Sequence, residues 1–140
     1  MYIIMKLLMI YSKKFYYNPT VKTLENFETI NDDFKINNAL VAFIHVEEQD
    51  EKDIKSIEKK LVKNLKWAAK KNNTNIVVLH SFAHLSDSKA SPEFTKELFN
   101  MAEARMKNAD YETYQTPFGY FLDLSVDAPG YSLARIFKSF

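Results

Sequence analysis

Apolar residues in this chain fall into two kinds of pattern, and the switch between them lays out a series of elements. Lys6–Tyr11 is almost continuously apolar, as is Leu40–Glu47, which ends in an acidic turn over Glu47–Asp53. Runs of this kind suit strands covered on both faces. From Ile54 to Lys71 the period changes, with Ile54, Ile57, Leu61, Leu65 and Ala68 at helical spacing and Asn72-Asn73 closing the segment. The β-branched run Asn75–His80 predicts a third strand. Ser91-Pro92 then supplies an N-cap and a first-turn proline for a second helix, with Phe94, Leu98, Met101, Ala102 and Arg105 on its expected inner side. Tyr111–Gln115 and Tyr120–Val126 read as strands, and Tyr131–Phe140 as a short terminal helix. Between Ser12 and Asn38 no period holds, which predicts an irregular hairpin carrying Phe15, Tyr16 and Tyr17.

The order is strand, long excursion, strand, helix, strand, helix, strand, strand, helix. It predicts one α/β (α+β) domain over residues 1–140, with two long helices and a short C-terminal one packed on a mixed sheet of about five or more strands. No repeat, linker or compositional break divides the chain. The apolar opening, residues 1–10, is interrupted by Lys6 and is shorter than the roughly 20 residues a membrane helix needs. It is read as a buried first strand, with Met5 as an alternative start. No membrane partner is expected.

Composition narrows the chemistry. Hydrophobic residues make up 46% of the chain and aromatics 14%, enough to build a core in 140 residues without staples. Cysteine is absent, which removes disulfides, thiolate nucleophiles and cysteine-ligated zinc, and agrees with a cytoplasmic location. The net charge of +1 provides no global field for a polyanion. The lysine-rich helix, Lys55 to Lys71, also holds Glu58 and is read as a solvated amphipathic face rather than an RNA surface.

Glycine occurs twice, where average usage of about 7% would give roughly ten. Gly119 stands in Pro117-Phe118-Gly119-Tyr120-Phe121 at the mouth of an apolar strand, and Gly130 in Asp127-Ala128-Pro129-Gly130-Tyr131 at an expected turn. Both are candidates for backbone with positive φ or close approach. Neither phosphate-cradling glycine motif fits in a chain with two glycines.

His84 is the best single candidate for chemistry. It follows a buried strand within Phe82-Ala83-His84-Leu85-Ser86, at the carboxyl end where open α/β sheets bind ligands. His45 and His80 lie inside strands and read as structural. The three histidines lack the i, i+4 spacing of a helical zinc site, so no metal and no cofactor are expected. Ser86 and Ser88 have no nucleophile elbow around them and read as loop and cap residues.

Four segments, Lys6–Ser12, Val41–Glu47, Phe82–Ser86 and Pro117–Tyr120, occur in the order and spacing of a known family. Together they resemble the N-terminal editing domain of archaeal-type threonyl-tRNA synthetases, over nearly the whole chain and without a synthetase catalytic body. The resemblance implies a D-aminoacyl-tRNA deacylase-like fold, commonly a homodimer, that hydrolyses seryl-tRNA specific for threonine. Such an activity answers a physical need, since one missing methyl gives a threonine site only about 1–3 kcal/mol against serine. It also implies that the terminal ribose 2′-OH and an ordered water carry the reaction. Val46, Ala83 and Phe118 would then line the amino-acid pocket, together with Gly119, Phe121 and Arg135. His84 would orient the terminal nucleotide or the water, and Tyr120 would support the wall. The implied partners are the 3′ end of an aminoacylated tRNA and a threonyl-tRNA synthetase acting in trans.

The chain departs from the family at defined places. Phe121-Leu122 replaces an aromatic bearing a hydroxyl or imidazole followed by lysine, and Tyr11-Ser12 replaces His-Ser. Ala128–Arg135 aligns with the family's C-K-G-H-P-L-A-E, so arginine replaces glutamate. Two functional readings therefore stand side by side: a free-standing aminoacyl-tRNA deacylase, and a catalytically degenerate relative that binds tRNA, a synthetase or an amino acid. A third, a plain dimeric domain, requires the region around His84 to be filled by its own side chains.

Overall fold

The computed structural model describes residues 4–140, so the first three residues of the apolar opening lie outside it. Its frame is one six-stranded sheet. Strand β1 (Lys6–Lys22) pairs antiparallel with β2 (Phe34–His45). From β2 the chain passes through a 3-10 turn (Glu48–Lys52) and helix α1 (Ile54–Lys71) to β3 (Ile76–Ser81), which is parallel to β2. Helix α2 (Pro92–Asn108) then leads to β4 (Glu112–Gln115), parallel to β3. Strand β5 (Tyr120–Val126) returns to the far half of β1. This six-stranded mixed sheet with two helices packed on it is the expected class of fold.

Capping explains the helix limits. The Asp53 carboxylate accepts the Ser56 N–H at 3.2 Å to open α1, and the Ser91 hydroxyl accepts the Phe94 N–H at 3.1 Å to open α2. Asn73 and Asp110, just past the two helices, take the left-handed conformation. Both helices cover one sheet face. There Leu7, Met9, Leu40, Ile44 and Leu79 meet Leu61 and Leu65 of α1 and Leu98 and Phe99 of α2, all essentially inaccessible to water. The inner side of α2 differs from the expected one: Phe99 and Met106 are buried, whereas Met101 is half-buried and Arg105 exposed. Arg105 reaches instead to Glu58 of α1, whose otherwise buried carboxylate it neutralises.

The expected irregular hairpin is two long strands with a shared break. Lys13 and Asn38 drop out of the β1–β2 ladder, and Asn38 has φ 58°. Before the break Leu8 and Ile10 face the second hydrophobic cluster; after it Phe15 and Tyr17 do. The inward positions thus switch from even to odd numbers, which erases any period-2 signal read across the break.

The expected terminal helix over Tyr131–Phe140 is not formed. Ser132–Ala134 makes a 3-10 turn, and β6 (Arg135–Ser139) pairs antiparallel with Lys6–Ile10 of β1. Strand β5 occupies only the distal half of that edge, leaving the N–H and C=O groups of Lys6–Ile10 in need of a partner. Ile136, opposite Met9, is buried on the helix-covered side, which fixes the register of β6.

The two glycines have different reasons to exist. Gly119 has φ 80°, and a Cβ there would lie 2.8 Å from the Leu24 Cβ; its carbonyl also accepts the Thr23 N–H at 2.6 Å. Gly130 has ordinary φ and open space around it. Gly119→Ala is therefore expected to lower unfolding stability by about 1–2 kcal/mol or more in urea titrations, and Gly130→Ala to stay within about 0.5 kcal/mol.

Candidate functional site

Because β2 and β3 run parallel, their carboxyl ends open on the same edge of the sheet, as do β4 and the turn leading into β5. Three loops meet there: Val46 and Glu47 after β2, residues 82–90 after β3, and residues 116–119 between β4 and β5. With Pro92 and Thr95 of α2 and Leu24 from the loop after β1, they enclose a cavity of about 400 Å³. A groove of about 510 Å³ runs beside it, sharing Thr116, Pro117 and Phe118. In that groove Lys96, Gln115, Asn100 and Glu103 already bond to one another at 2.7–2.9 Å, so these four are occupied among themselves. The smaller cavity is the candidate site.

A buried polar cluster holds the loop that carries Ala83 and His84. Every residue from Ala39 to Glu47 is buried. The His45 Nδ1 accepts the Leu85 N–H at 3.0 Å, so the ring proton sits on Nε2, which donates to the Ser88 carbonyl at 2.5 Å. The Ser88 hydroxyl donates to Glu47 at 2.7 Å, and the Lys6 ammonium lies 3.1 Å from the other carboxylate oxygen. Burial pushes the Glu47 carboxyl up, but hydrogen bonds from Ser88, Ser86 and Lys6 and the charge of Lys6 outweigh it, leaving the group below the usual carboxylate range. Two backbone bonds, Phe82 N–H to the Ile44 carbonyl and Ala90 N–H to the Val46 carbonyl, pin the loop at either end at 2.9 Å.

The walls are anchored in other ways. Phe118 packs its ring on Phe27 at 4.9 Å and on Phe99 at 6.3 Å. The Tyr120 hydroxyl accepts the Ile30 N–H at 3.0 Å, tying the loop after β1 to β5. His80 bonds the Thr116 hydroxyl at 2.8 Å, and its ring packs edge-on against Phe43. Burial, with a smaller contribution from the charge of His84, pushes the His80 pKa down to about 4, so it is neutral near pH 7. His84 is exposed at the mouth, edge-on to Phe82 at 4.9 Å.

Among the residues singled out from the sequence, Val46, Ala83, His84, Phe118, Gly119, Tyr120 and Phe121 all line this cavity. Phe121 is 64% exposed and forms part of the rim. Arg135 stands apart, exposed on β6 opposite Ile10 and outside the lining. Sequence reading passed over the clamp of His45, Glu47 and Ser88, and over Lys89, the one lysine or arginine in the lining. A histidine and a glutamate inside an otherwise apolar strand end, His45-Val46-Glu47, were the available signal.

The model of the Archaea-specific editing domain of threonyl-tRNA synthetase matches residues 5–140. The chain belongs to that editing-domain family. Threonine--tRNA ligases of Thermococcus kodakarensis and Staphylothermus marinus are each 30% identical over 138 and 139 residues; each alignment covers 96% of this chain and 22% of the relative. The chain thus spans about a fifth of the length of the ligases it matches. The solved structure of c-Myc DNA Unwinding Element Binding Protein superposes with a TM-score of 0.67, covering 95% of this chain and 97% of that one at 10% identity, which speaks for the fold alone. The fold is the D-aminoacyl-tRNA deacylase-like one expected of the editing-domain family.

Within that family frame, the substituted positions fall in different places. Phe121 is at the rim, while Leu122 packs into the second hydrophobic cluster. The lining has no carboxylate, so a bound ammonium group would meet carbonyl oxygens rather than a counter-charge.

Two outcomes test this site. His45→Ala is expected to speed amide hydrogen exchange at Leu85 and across residues 82–90 by about 10-fold or more, well above any change in the core strands; His45→Gln, which retains an acceptor and a donor, is expected to restore part of the protection. The His80 shift sets a pH window. The unfolded chain takes up the proton near pH 6.5 and the folded chain only near pH 4, so this stability is present above pH 6.5 and is lost as pH falls through the window. Urea titrations at pH 7 and 4.5 are expected to show the wild type losing about 2 kcal/mol more than His80→Gln.

Proposed function

We propose that the protein is an aminoacyl-tRNA deacylase that hydrolyses the ester of a mischarged tRNA, with seryl-tRNA specific for threonine as the first substrate to test. The observation that carries this reading is the single cavity lined by Val46, Ala83, His84 and the Phe118–Phe121 turn, on a chain of the editing-domain family. At about 400 Å³ it has room for a small amino acid and part of the terminal nucleotide.

The chemistry follows from what lines it. A water oxygen adds to the ester carbonyl carbon, the bond from that carbon to the ribose 3′ oxygen breaks, and the 3′ oxygen leaves as a hydroxyl after taking up a proton. The lining offers no carboxylate base and no cysteine, which agrees with what the family resemblance implies, that the substrate's own 2′-OH holds the water and relays its proton. His84, at the mouth, positions the water or the terminal ribose, and the clamp of His45 and Glu47 holds His84 in place. Lys89 meets the terminal phosphate, to which its ammonium is complementary. Tyr120 acts through its bond to Ile30, as a strut of the wall.

The sheet face away from the helices supports a homodimer: Leu124 and Phe137 are 38% and 55% exposed there, beside half-buried Leu8 and Ile10. A second reading, a tRNA- or synthetase-binding module, is favoured by the aromatic rim residue Phe121 and the carboxylate-free lining.

Hydrolysis of seryl- and threonyl-tRNA by purified protein separates the two. A deacylase is expected to remove serine and spare threonine, with His84→Ala lowering kcat by about 100-fold and leaving the affinity for uncharged tRNA close to wild type. Release of neither amino acid at high enzyme concentration, with tRNA still bound, overturns the deacylase in favour of the binding module.

A further inference from the structure

The lysines of α1 share one side of the helix. Ile57, Glu58, Leu61, Val62, Leu65, Ala68 and Ala69 turn to the sheet and α2, which leaves all seven lysines from Lys55 to Lys71 on the outer arc. Six of them are exposed and Lys66 is half-buried. The one acid in the helix, Glu58, is on the buried side and taken by Arg105. Among the described residues none of the seven lysines is ion-paired.

Such an arrangement opposes helix stability. Lys55 and Lys59, Lys59 and Lys63, and Lys66 and Lys70 are each four residues apart, where like charges repel. The chain's net charge is only +1, so the residues outside α1 are net negative, yet no acid among the described residues forms an ion pair with this face. In the middle of it Trp67 is 39% exposed, with the ammonium of Lys71 5.9 Å and that of Lys138 5.2 Å from its ring centroid. The indole thereby gathers cations from two elements, α1 and β6. The face runs about 27 Å along the helix, starting at the sheet end that carries the cavity, eight residues after Val46. A small anion would meet one or two of these lysines; a row this long fits a polyanion with closely spaced charges.

We propose that the outer face of α1, extended by Lys138, binds the phosphate backbone of duplex RNA, as in the stem that follows a 3′ end held in the cavity. The choice of RNA rests on the deacylase reading; the face itself rests on its charge.

Filter binding of deacylated tRNA tests it, because binding needs no ester and reads the face whether or not the cavity hydrolyses anything. The variant is Lys63→Glu/Lys66→Glu/Lys70→Glu, and the control with the same charge change is Lys13→Glu/Lys14→Glu/Lys35→Glu on β1 and β2. Circular dichroism establishes that both fold. The α1 variant is expected to bind about 10-fold or more weakly at 0.1 M salt. Its slope of log affinity on log salt is expected to fall by about 2.7, as for three lost phosphate contacts on a duplex. The control is expected to lose less than about threefold. Equal losses in both variants overturn the proposal, leaving a net-charge effect. Binding of polyglutamate as tight as that of tRNA, with the same lysine dependence, also overturns it in favour of an acidic protein partner. Lysine-dependent tRNA binding without any hydrolysis overturns the deacylase reading and leaves the face standing.

Discussion

Every residue from Ala39 to Glu47 is buried, with β1 on one edge of the strand and β3 on the other. Any polar group in that stretch must find its partner inside the protein, because an unsatisfied one costs about 1–3 kcal/mol. His45 and Glu47 are such groups, and their partners are the Leu85 N–H, the Ser88 carbonyl and hydroxyl, and the Lys6 ammonium. Satisfying the strand therefore fixes the loop that carries Ala83 and His84. Core and candidate site are one hydrogen-bonded structure at this point. A functional loop held so closely needs little ordering when a ligand arrives.

On the proposed deacylase reading, the same economy lets a cavity whose lining has no carboxylate act by positioning. Its lining consists of apolar side chains, peptide groups, hydroxyls, two histidines and Lys89. His80 is kept neutral by burial and spent on Thr116. What remains is geometry: walls anchored by Phe27, Phe99 and Ile30, with His84 at the mouth. On the reading proposed above, positioning of a water beside the substrate's own hydroxyl is the contribution such a site would make. The proposed RNA-binding face of α1 would complement it at longer range, by charge rather than shape.

Much of this was legible in the chain. Helix α1 was found with its bounds, because apolar residues at helical spacing and an asparagine pair at the end are local signals. The segments Phe82–Ser86 and Pro117–Tyr120 carried the family, and seven of the residues picked from such motifs line one cavity. Arg135 aligns with a family glutamate, yet it pairs with Ile10 along the sheet. An ungapped alignment gives the order of residues and leaves open which edge of which strand they join.

What the sequence determined alone was whatever depends on near neighbours: helix periods and caps, the apolar strands, the absence of cysteine and glycine-rich chemistry, and the motifs of the editing-domain family. The tertiary structure decided what depends on pairing. It made Arg135–Ser139 a strand because half an edge of β1 was free, and a five-residue segment with two apolar positions has no local signal to tell strand from helix. It switched the inward positions across Lys13 and Asn38, since a break in one strand has meaning only against its partner. It gave Gly119 its necessity through Leu24, a contact across 95 positions, and left Gly130 as an open turn. It also turned His45 from an oddity in an apolar strand into the clamp of the site, because its two partners lie 40 and 43 residues away.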